Sequence, residues 1–282
     1  MIYYNGTFIL PNEFRMNADD RGLLLGDGLF ETMRVYHGRV FCLHAHYERM
    51  VHGASILKIP LPITAITLDT VILQLLEKNG LNNKNAIIRV TLTRGSGLRG
   101  LLPSPNMQPT LMITAMPFTA QQQKPVTLHI SKQTRRNEQS PLSQIKSLCY
   151  LDNILARMEA VENHADDAIL LNTKGHIASA SAANIFIVTN NGVIITPAIE
   201  EGVLQGIARH TIITICKEKN IPLVEKAVSV EELGRAKEIF ISNSIIEIQA
   251  VLSINGRVIN NGETGEITRK LQNEYHQQTS IY

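Results

Sequence analysis

The stretch from Gly175 to Arg209, GHIASASAANIFIVTNNGVIITPAIEEGVLQGIAR, decides how the second half of this chain folds. Two apolar, β-branched runs, Asn184–Val188 and Gly192–Thr196, flank an Asn-Asn-Gly turn and predict a β-hairpin. Gly202–Arg209 then leads into residues with helical spacing. A glycine before a helix lets the backbone approach a ligand, and the first helical N–H groups attract anions. The pattern is compatible with an anion site, but for these residues alone an ordinary loop-to-helix junction is the more common explanation.

Composition indicates a folded protein and excludes several classes of function. The chain has 282 residues, 44% of them hydrophobic and 18% charged, which is enough for one large or two small domains. A net charge of +2 without a basic cluster excludes a nucleic-acid partner. Three separated cysteines indicate reduced thiols, with neither a disulfide frame nor a metal site. Without a signal peptide or a membrane-spanning apolar run, we expect a cytoplasmic protein with no membrane partner.

Mixed helix and strand patterns predict an α/β (α+β) fold with two domains. A polar, proline-flanked segment, Pro117–Pro125, marks the expected boundary. We therefore predict an N-terminal domain at residues 1–118, a linker at 119–125 and a C-terminal domain at 126–282. The principal predicted strands are Leu29–Val35, Arg39–Leu43, Ala86–Thr93, Thr110–Met116, Val126–Ser131, Ala168–Asn172 and Glu238–Ser244, and the helices are Leu43–Leu57, Ile66–Asn79 and Thr264–Gln277.

Several separated motifs resemble those of the fold-type-IV pyridoxal-phosphate enzymes. They include SAANIF at Ser181–Phe186, Thr196-Pro197 and GVLQGIAR at Gly202–Arg209. This family contains branched-chain and D-amino acid aminotransferases and 4-amino-4-deoxychorismate lyase. The resemblance extends from Asn5 to about Val258. It implies pyridoxal 5'-phosphate in a cleft between two domains, and a homodimer, because the family builds its substrate pocket partly from the neighbouring chain.

The resemblance also assigns residues to the cofactor. Ile145-Lys146-Ser147-Leu148 is similar to the segment of the Schiff-base lysine, so Lys146 is expected to bind the cofactor and to move a proton at the substrate carbon. His46-x-x-Arg49 resembles the motif whose arginine binds the phosphate. Without the resemblance, both would pass as solvated charges. The further expected cofactor contacts are the backbone N–H groups of Ile207 and Ala208, together with Asn184, Asn243, Ser244 and Tyr150, the last of which either hydrogen-bonds the ring oxygen or only packs.

Two further segments are expected to face the substrate. The glycine-rich Asp20–Gly28 and the strand after it resemble the family's active-site wall, which makes Phe30 and Arg34 candidate pocket residues; by itself the glycine segment indicates a tight turn. Arg99, in the loop Arg94–Gly100, matches an arginine that binds substrate carboxylate, although a flexible solvated loop is an equal alternative. The loop looks most like that of the lyases, which commonly continue with tyrosine where this chain has Leu101.

Ser179 departs from the family pattern. The family usually has glutamate at this place, five residues before Asn184, where the carboxylate raises the pKa of the pyridine nitrogen. A hydroxyl cannot act as that counter-ion, which weakens the ring as an electron sink for transamination. A lyase that forms an aromatic product tolerates the loss better. The leading hypothesis is 4-amino-4-deoxychorismate lyase, which gives p-aminobenzoate for folate precursor synthesis and pyruvate. Its support is that Gly26–Arg34, the Arg94–Gly100 loop and Ser242–Ser244 look more like the lyases than the aminotransferases. The alternatives are a D- or branched-chain amino acid aminotransferase and a catalytically weakened cofactor-binding relative.

Overall fold

The structure, a computed structural model, describes residues 1–119 and 124–282. Contacts within the chain divide it into two compact units. The first contains Met1–Thr119, Ile145–Cys149 and Tyr282, and the second contains Ala120–Gln144 and Tyr150–Ile281. Each unit has its own sheet, with helices in both, which confirms the predicted α/β class. Of the predicted linker, residues 120–123 lie outside the described part of the chain.

The first unit is built on a six-stranded antiparallel sheet with the order β2-β1-β6-β5-β3-β4. Two amphipathic helices, α2 and α3, contribute apolar side chains to the buried core beside the sheet. The elements are β1 (Ile2–Tyr4), β2 (Thr7–Ile9), α1 (Arg21–Leu25), β3 (Gly28–Tyr36), β4 (Arg39–Val40), α2 (Leu43–Leu57), α3 (Ala65–Lys78), β5 (Ala86–Thr93) and β6 (Thr110–Pro117).

Local chemistry explains where the first unit differs from the sequence prediction. The glycine-rich segment expected to be a turn contains α1, whose first turn is capped by the Asp20 carboxylate and which ends at Gly26 in the left-handed region. The strand predicted to run to Leu43 stops at Val40, because Cys42 takes a left-handed conformation (φ 52°) immediately before α2. Helix α2 itself has the predicted bounds.

The second unit is built on a mixed nine-stranded sheet, in the order β12-β11-β10-β13-β14-β7-β8-β9 with β15 beside β14. Three pairs are parallel, namely β7 with β8, β7 with β14, and β11 with β12. The elements are β7 (Val126–Arg136), α4 (Leu151–Glu162), β8 (Asp167–Asn172), β9 (Ile177–Ala180), β10 (Asn184–Val188), β11 (Ile194–Pro197), α5 (Ile207–Glu218), β12 (Leu223–Lys226), α6 (Val230–Gly234), β13 (Glu238–Asn243), β14 (Glu247–Ile254), β15 (Arg257–Val258) and α7 (Glu266–Ser280).

The central strands of the second unit follow the hydrophobic pattern closely. The predicted hairpin is present, with Ile187 opposite Ile195 and Val188 opposite Ile194. Strand β7 runs past its predicted end at Ser131 across an irregular register, where the Glu159 carboxylate accepts hydrogen bonds from Ser131 Oγ and Lys132 N. A short polar interruption therefore bends β7 without ending it. No helix within the described ranges is long and apolar enough to cross a membrane.

Candidate active site

Lys146 lies beside the start of β3 in the first unit. The N–H of Phe30 donates to the Lys146 carbonyl (2.9 Å), and the N–H of Leu148 donates to the carbonyl of Gly28 (3.0 Å). The Lys146 Nζ is 4.4 Å from the centre of the Phe30 ring. Two of the predicted site residues, one for the cofactor and one for the substrate, are thus brought together by a strand-like pairing of distant segments.

Arg49 projects from α2 onto the carboxylate of Glu31 on β3. Its Nε donates to Glu31 Oε1 and its Nη2 to Glu31 Oε2, both at 2.8 Å, in the two-bond fork that guanidinium and carboxylate groups form. His46, one turn earlier on α2, is 2.7 Å from Glu31 Oε2 through Nδ1. Glu31 and His46 are each only 1% exposed. The sequence indicated Arg49 but not this buried carboxylate that holds it.

The charges of these three groups are fixed by burial and by one another. Burial alone would raise the pKa of Glu31, but Arg49 and His46 lower it to about 2. Burial lowers the pKa of His46 from its ordinary value, with the charge of Lys146 contributing, against the opposing effect of Glu31. Near neutral pH, Glu31 is therefore ionised and His46 is neutral. Since a carboxylate only accepts hydrogen bonds, His46 carries its proton on Nδ1 and donates it to Glu31.

The N-terminus of α5 in the second unit has the features of an anion site. Gly206 precedes the helix, no side chain caps it, and Ile207 and Ala208 begin the first turn. A Cβ on Gly206 would lie 2.0 Å from Asn184 Oδ1, so only glycine allows this close approach. Asn184 Nδ2 also donates to the carbonyl of Leu204 (3.0 Å), which fixes the loop ahead of the helix.

Asn243 is the last residue of β13 and Ser244 follows it, next to the strand that carries Asn184. Asn184 is paired directly with Ser242, the last buried residue of β13. Asn243 Nδ2 donates to the carbonyl of Ala182 (3.0 Å), and its Oδ1 accepts from the N–H of Ile245 (2.8 Å). Asn184 and Asn243 thus lie on neighbouring strands and each holds a different loop through its side-chain amide, with the half-buried Ser244 next to Asn243 in sequence.

Ser179 is a buried, uncharged group in β9, opposite Leu170 of β8 and only 8% exposed. Its immediate neighbours Ala178 and Ala180 are buried as well. The position at which the family pattern has a carboxylate is thus a small, buried side chain flanked in sequence by two alanines.

Tyr150 precedes α4 and lies close enough to Arg136, on β7, to affect its ionisation. Burial lowers the pKa of the Arg136 guanidinium, which also donates to the carbonyl of Ser143 (3.1 Å). Sequence analysis missed Arg136; two adjacent arginines at a strand end were its only signal.

The three predicted substrate residues lie in different environments within the first unit. Phe30 is buried, with the Cζ of Arg89 4.0 Å from its ring centre. Arg34 is also buried, and its Cζ is 3.3 Å from the ring centre of Phe118. Arg99 is exposed in its loop. Arg89, which the sequence analysis did not single out, therefore lies against the ring of Phe30.

Arg94, at the start of the same loop, has a structural role. It forms a fork with Asp27, through Nε to Oδ2 at 2.7 Å and Nη2 to Oδ1 at 3.0 Å. Its Nη2 also donates to the carbonyl of Leu57 (2.7 Å). Of the two arginines in the loop, Arg94 therefore anchors the loop to Asp27 and to the end of α2. The substrate role of Arg99 remains a prediction.

Known proteins resemble this chain over nearly its whole length. The model of the amino-transferase class IV family matches residues 28–254. A putative branched-chain-amino-acid aminotransferase from Methanocaldococcus jannaschii is 38% identical over 97% of this chain and 94% of its own length. A D-alanine aminotransferase from Staphylococcus haemolyticus is 31% identical, over 98% and 96%. The structure of a putative 4-amino-4-deoxychorismate lyase from Legionella pneumophila superposes with a TM-score of 0.87 at 30% identity, over 95% and 97%.

The chain belongs to the class IV aminotransferase family. It is an enzyme of this pyridoxal-phosphate-dependent class. Its residues suit that cofactor: a half-buried lysine amine is present for a carbonyl, and an arginine and an uncapped helix N-terminus are present for a phosphate. Among the described residues, no group of three or more His, Cys, Asp or Glu side chains is placed to bind a metal.

Proposed function

We propose that this enzyme is a pyridoxal-phosphate-dependent 4-amino-4-deoxychorismate lyase, which releases p-aminobenzoate and pyruvate in the synthesis of a folate precursor. The observation that carries the proposal is Ser179, a buried hydroxyl between small residues at the place of the family's carboxylate. Similarity to a putative enzyme of this activity, at 30% identity over nearly the whole chain, supports it.

The bound cofactor supplies an acceptor for negative charge at the substrate carbon. A neutral hydroxyl does not hold a proton on the ring nitrogen as a carboxylate does, so less charge is stabilised there. In the lyase reaction, the ring of the substrate becomes aromatic as pyruvate leaves, and this gain compensates for a weaker acceptor. Transamination has no such compensation. Ser179 therefore favours elimination over transamination.

The roles proposed for the chain's own residues are those that the family resemblance implies, and the chemistry of each side chain suits its role. Lys146 binds the cofactor carbonyl and then holds or moves the proton at the substrate carbon. Arg49 and the N–H groups of Ile207 and Ala208 bind the phosphate. Asn184, Asn243 and Ser244 orient the surrounding loops and donate to the cofactor. Tyr150 contacts the cofactor ring, and Phe30, Arg34 and Arg99 bind the substrate.

The direct test is to measure the formation of p-aminobenzoate from 4-amino-4-deoxychorismate through the fluorescence of the p-aminobenzoate product. We expect turnover that depends on added pyridoxal phosphate and is lost in Lys146→Ala. If the loaded enzyme forms no p-aminobenzoate from this substrate, the lyase proposal is wrong. Bound cofactor without turnover on any amine would identify a catalytically weakened relative.

The second candidate is an aminotransferase for branched-chain or D-amino acids. It is supported by the relatives of 38% and 31% identity, which carry those activities in their names. A half-reaction separates the two candidates, because an amino acid alone would convert the bound pyridoxal form to the pyridoxamine form. Absorbance spectra recorded with leucine, D-alanine or no amino acid would show this conversion directly.

We also propose that the enzyme is a homodimer acting on a small-molecule amine. Helix α4 supports this, since its exposed face has apolar residues at helical spacing that a second copy would cover: Leu151, Ile154, Leu155, Met158 and Val161. Sedimentation of the active enzyme is the test. A monomer with full activity would rule the dimer out.

A further inference from the structure

The buried carboxylate of Glu31 accepts hydrogen bonds from three donors on helix α2. Both of its oxygens accept from Arg49, at 2.8 Å each, and Oε2 also accepts from His46 Nδ1 at 2.7 Å. Glu31 lies on β3 and the other two residues lie on α2. The carboxylate therefore links the strand to the helix and determines the direction in which the Arg49 guanidinium points.

We propose that Glu31 is a positioning residue for phosphate recognition, which acts by holding Arg49, and that His46 in turn holds Glu31. The proposal rests on the proposed function, in which Arg49 binds the cofactor phosphate. Glu31 touches neither substrate nor cofactor. Its fork occupies two of the five N–H donors of the guanidinium and fixes the orientation of the whole planar group.

Charge alone gives the opposite expectation, and this makes the proposal testable. The ionised Glu31 repels a dianionic phosphate, and the cluster of Glu31, Arg49 and a neutral His46 has no net charge. If charge dominated, removing the carboxylate charge would tighten phosphate binding. If orientation dominates, the same change releases the long, flexible side chain of Arg49 and weakens phosphate binding. We expect orientation to dominate, because the fork is buried and its geometry is that of a strong two-bond pair.

Glu31→Gln separates these alternatives with little change in volume. The glutamine amide offers one oxygen, so it cannot accept from all three donors of Arg49 and His46. The measurement is the dissociation constant of the full-length protein, after cofactor removal, for pyridoxal phosphate and for pyridoxal, which lacks the phosphate. Their ratio reports phosphate recognition and cancels effects on Lys146 or on overall folding.

We expect Glu31→Gln to lower the preference for pyridoxal phosphate about tenfold, the factor given by one lost hydrogen bond to a charged group. Pyridoxal affinity should stay within about twofold. Arg49→Ala should lower the preference by about 10- to 100-fold, and the double variant should be no worse than Arg49→Ala, because Glu31 acts through Arg49.

Glu238→Gln is a matched control. Glu238 is a buried carboxylate whose Oε2 accepts from the N–H and the hydroxyl of Thr268, at 2.9 and 2.8 Å, at the start of α7. Its substitution should lower stability without altering the pyridoxal phosphate preference. If Glu31→Gln does not fold, His46→Leu removes one donor from Glu31 and should lower the preference less. His46→Asn, which keeps an N–H donor near the Nδ1 position, should restore it.

Three results would overturn the proposal. The first is a Glu31→Gln protein with an unchanged or increased preference for pyridoxal phosphate. The second is an equal loss of affinity for both ligands, which would mean a general structural role. The third is an unchanged preference in Arg49→Ala, which would also refute the phosphate role of Arg49 in the proposed function. A preference lost in Arg49→Ala but kept in Glu31→Gln would refute the role of Glu31 alone.

Discussion

The surroundings of Lys146 and those of Ser179 differ in chemical kind. We call Glu31, His46, Arg49 and Lys146, all in the first unit, the charged region. Arg49 and Glu31 form an ion pair, His46 hydrogen-bonds to Glu31, and the charge of Lys146 helps to lower the pKa of His46. We call Ser179, Asn184, Gly206 and Asn243, all in the second unit, the neutral region; its members are held by amide hydrogen bonds and close packing.

The difference teaches which substitutions each region tolerates. In the charged region, space is less critical than charge, so substitutions of equal size that remove a charge should have the larger effects. The neutral region has no charge to lose, but it is sensitive to added volume. At Gly206, for example, a Cβ atom would overlap the side chain of Asn184. The two regions should therefore fail under different substitutions.

The largest expected effect is that of Lys146→Ala in the charged region. It removes the amine proposed to bind the cofactor carbonyl, so the reducible bond between protein and pyridoxal phosphate should be lost entirely. Absorbance before and after borohydride treatment measures this bond. Lys174→Ala, an exposed lysine in the turn after β8, is the control and should retain it. A reducible bond that persists in Lys146→Ala would show that another amine binds the cofactor.

Gly206→Ala probes the neutral region through volume alone. The added Cβ would displace Asn184 or the start of α5, at a cost of about 1–3 kcal/mol in cofactor binding or in the free energy of unfolding. Both quantities should be measured, by titration and by urea denaturation. Adding Asn184→Ala removes the overlapping oxygen and should recover part of the loss. A Gly206→Ala protein that binds and folds like the parent would show that the junction is not tightly packed.

Acid stability probes the charged region through Glu31. Its pKa of about 2 in the folded protein lies below its ordinary value of 4.5, so the unfolded chain binds a proton first as the pH falls. The contribution of Glu31 to stability is therefore complete above about pH 4.5 and is lost as the pH falls toward 2. Denaturation between pH 6 and 3 should show a smaller pH dependence in Glu31→Gln than in the parent. Equal pH dependence in both proteins would contradict the assignment of this pKa.

The smallest effect is expected from Ser179→Glu, which is also the most specific test of the neutral region. A carboxylate at this position should strengthen the cofactor ring as an electron acceptor and raise the ratio of transamination to elimination. Overpacking among the small neighbours costs about 1–3 kcal/mol, so cofactor affinity must be measured alongside both half-reactions. With affinity intact, an unchanged or lower ratio would show that some group other than residue 179 governs the ring nitrogen.

The sequence predicted the elements with strong hydrophobic periodicity and missed features that depend on distant partners. Helix α2, strand β5 and strand β10 have their predicted bounds, because α2 has an amphipathic pattern and the two strands are rich in apolar, β-branched residues. The left-handed Cys42 and the bulged end of β7 have no such pattern. Their conformations depend on contacts that no local spacing reveals.

The same limit applies to the site. Arg49 and Lys146 were found through motifs, whose members are close in sequence. Glu31 was not, although it lies in the predicted strand Leu29–Val35, because an acidic residue in an apolar strand gives no sign of which cation it contacts. Arg136 was missed for the same reason. Because a buried charge needs a partner, the sequence can predict that such a partner exists, but it cannot identify which residue it is.

The pairing of Ile145–Cys149 with β3 has a consequence for biosynthesis. On the ribosome, residues 1–119 emerge first, but the first unit lacks the segment that binds the start of β3 until residue 149 has followed. The same five residues carry the lysine. The segment that pairs with β3 and the lysine proposed to bind the cofactor therefore emerge together during synthesis, so a nascent chain stalled before Ile145 has neither of them.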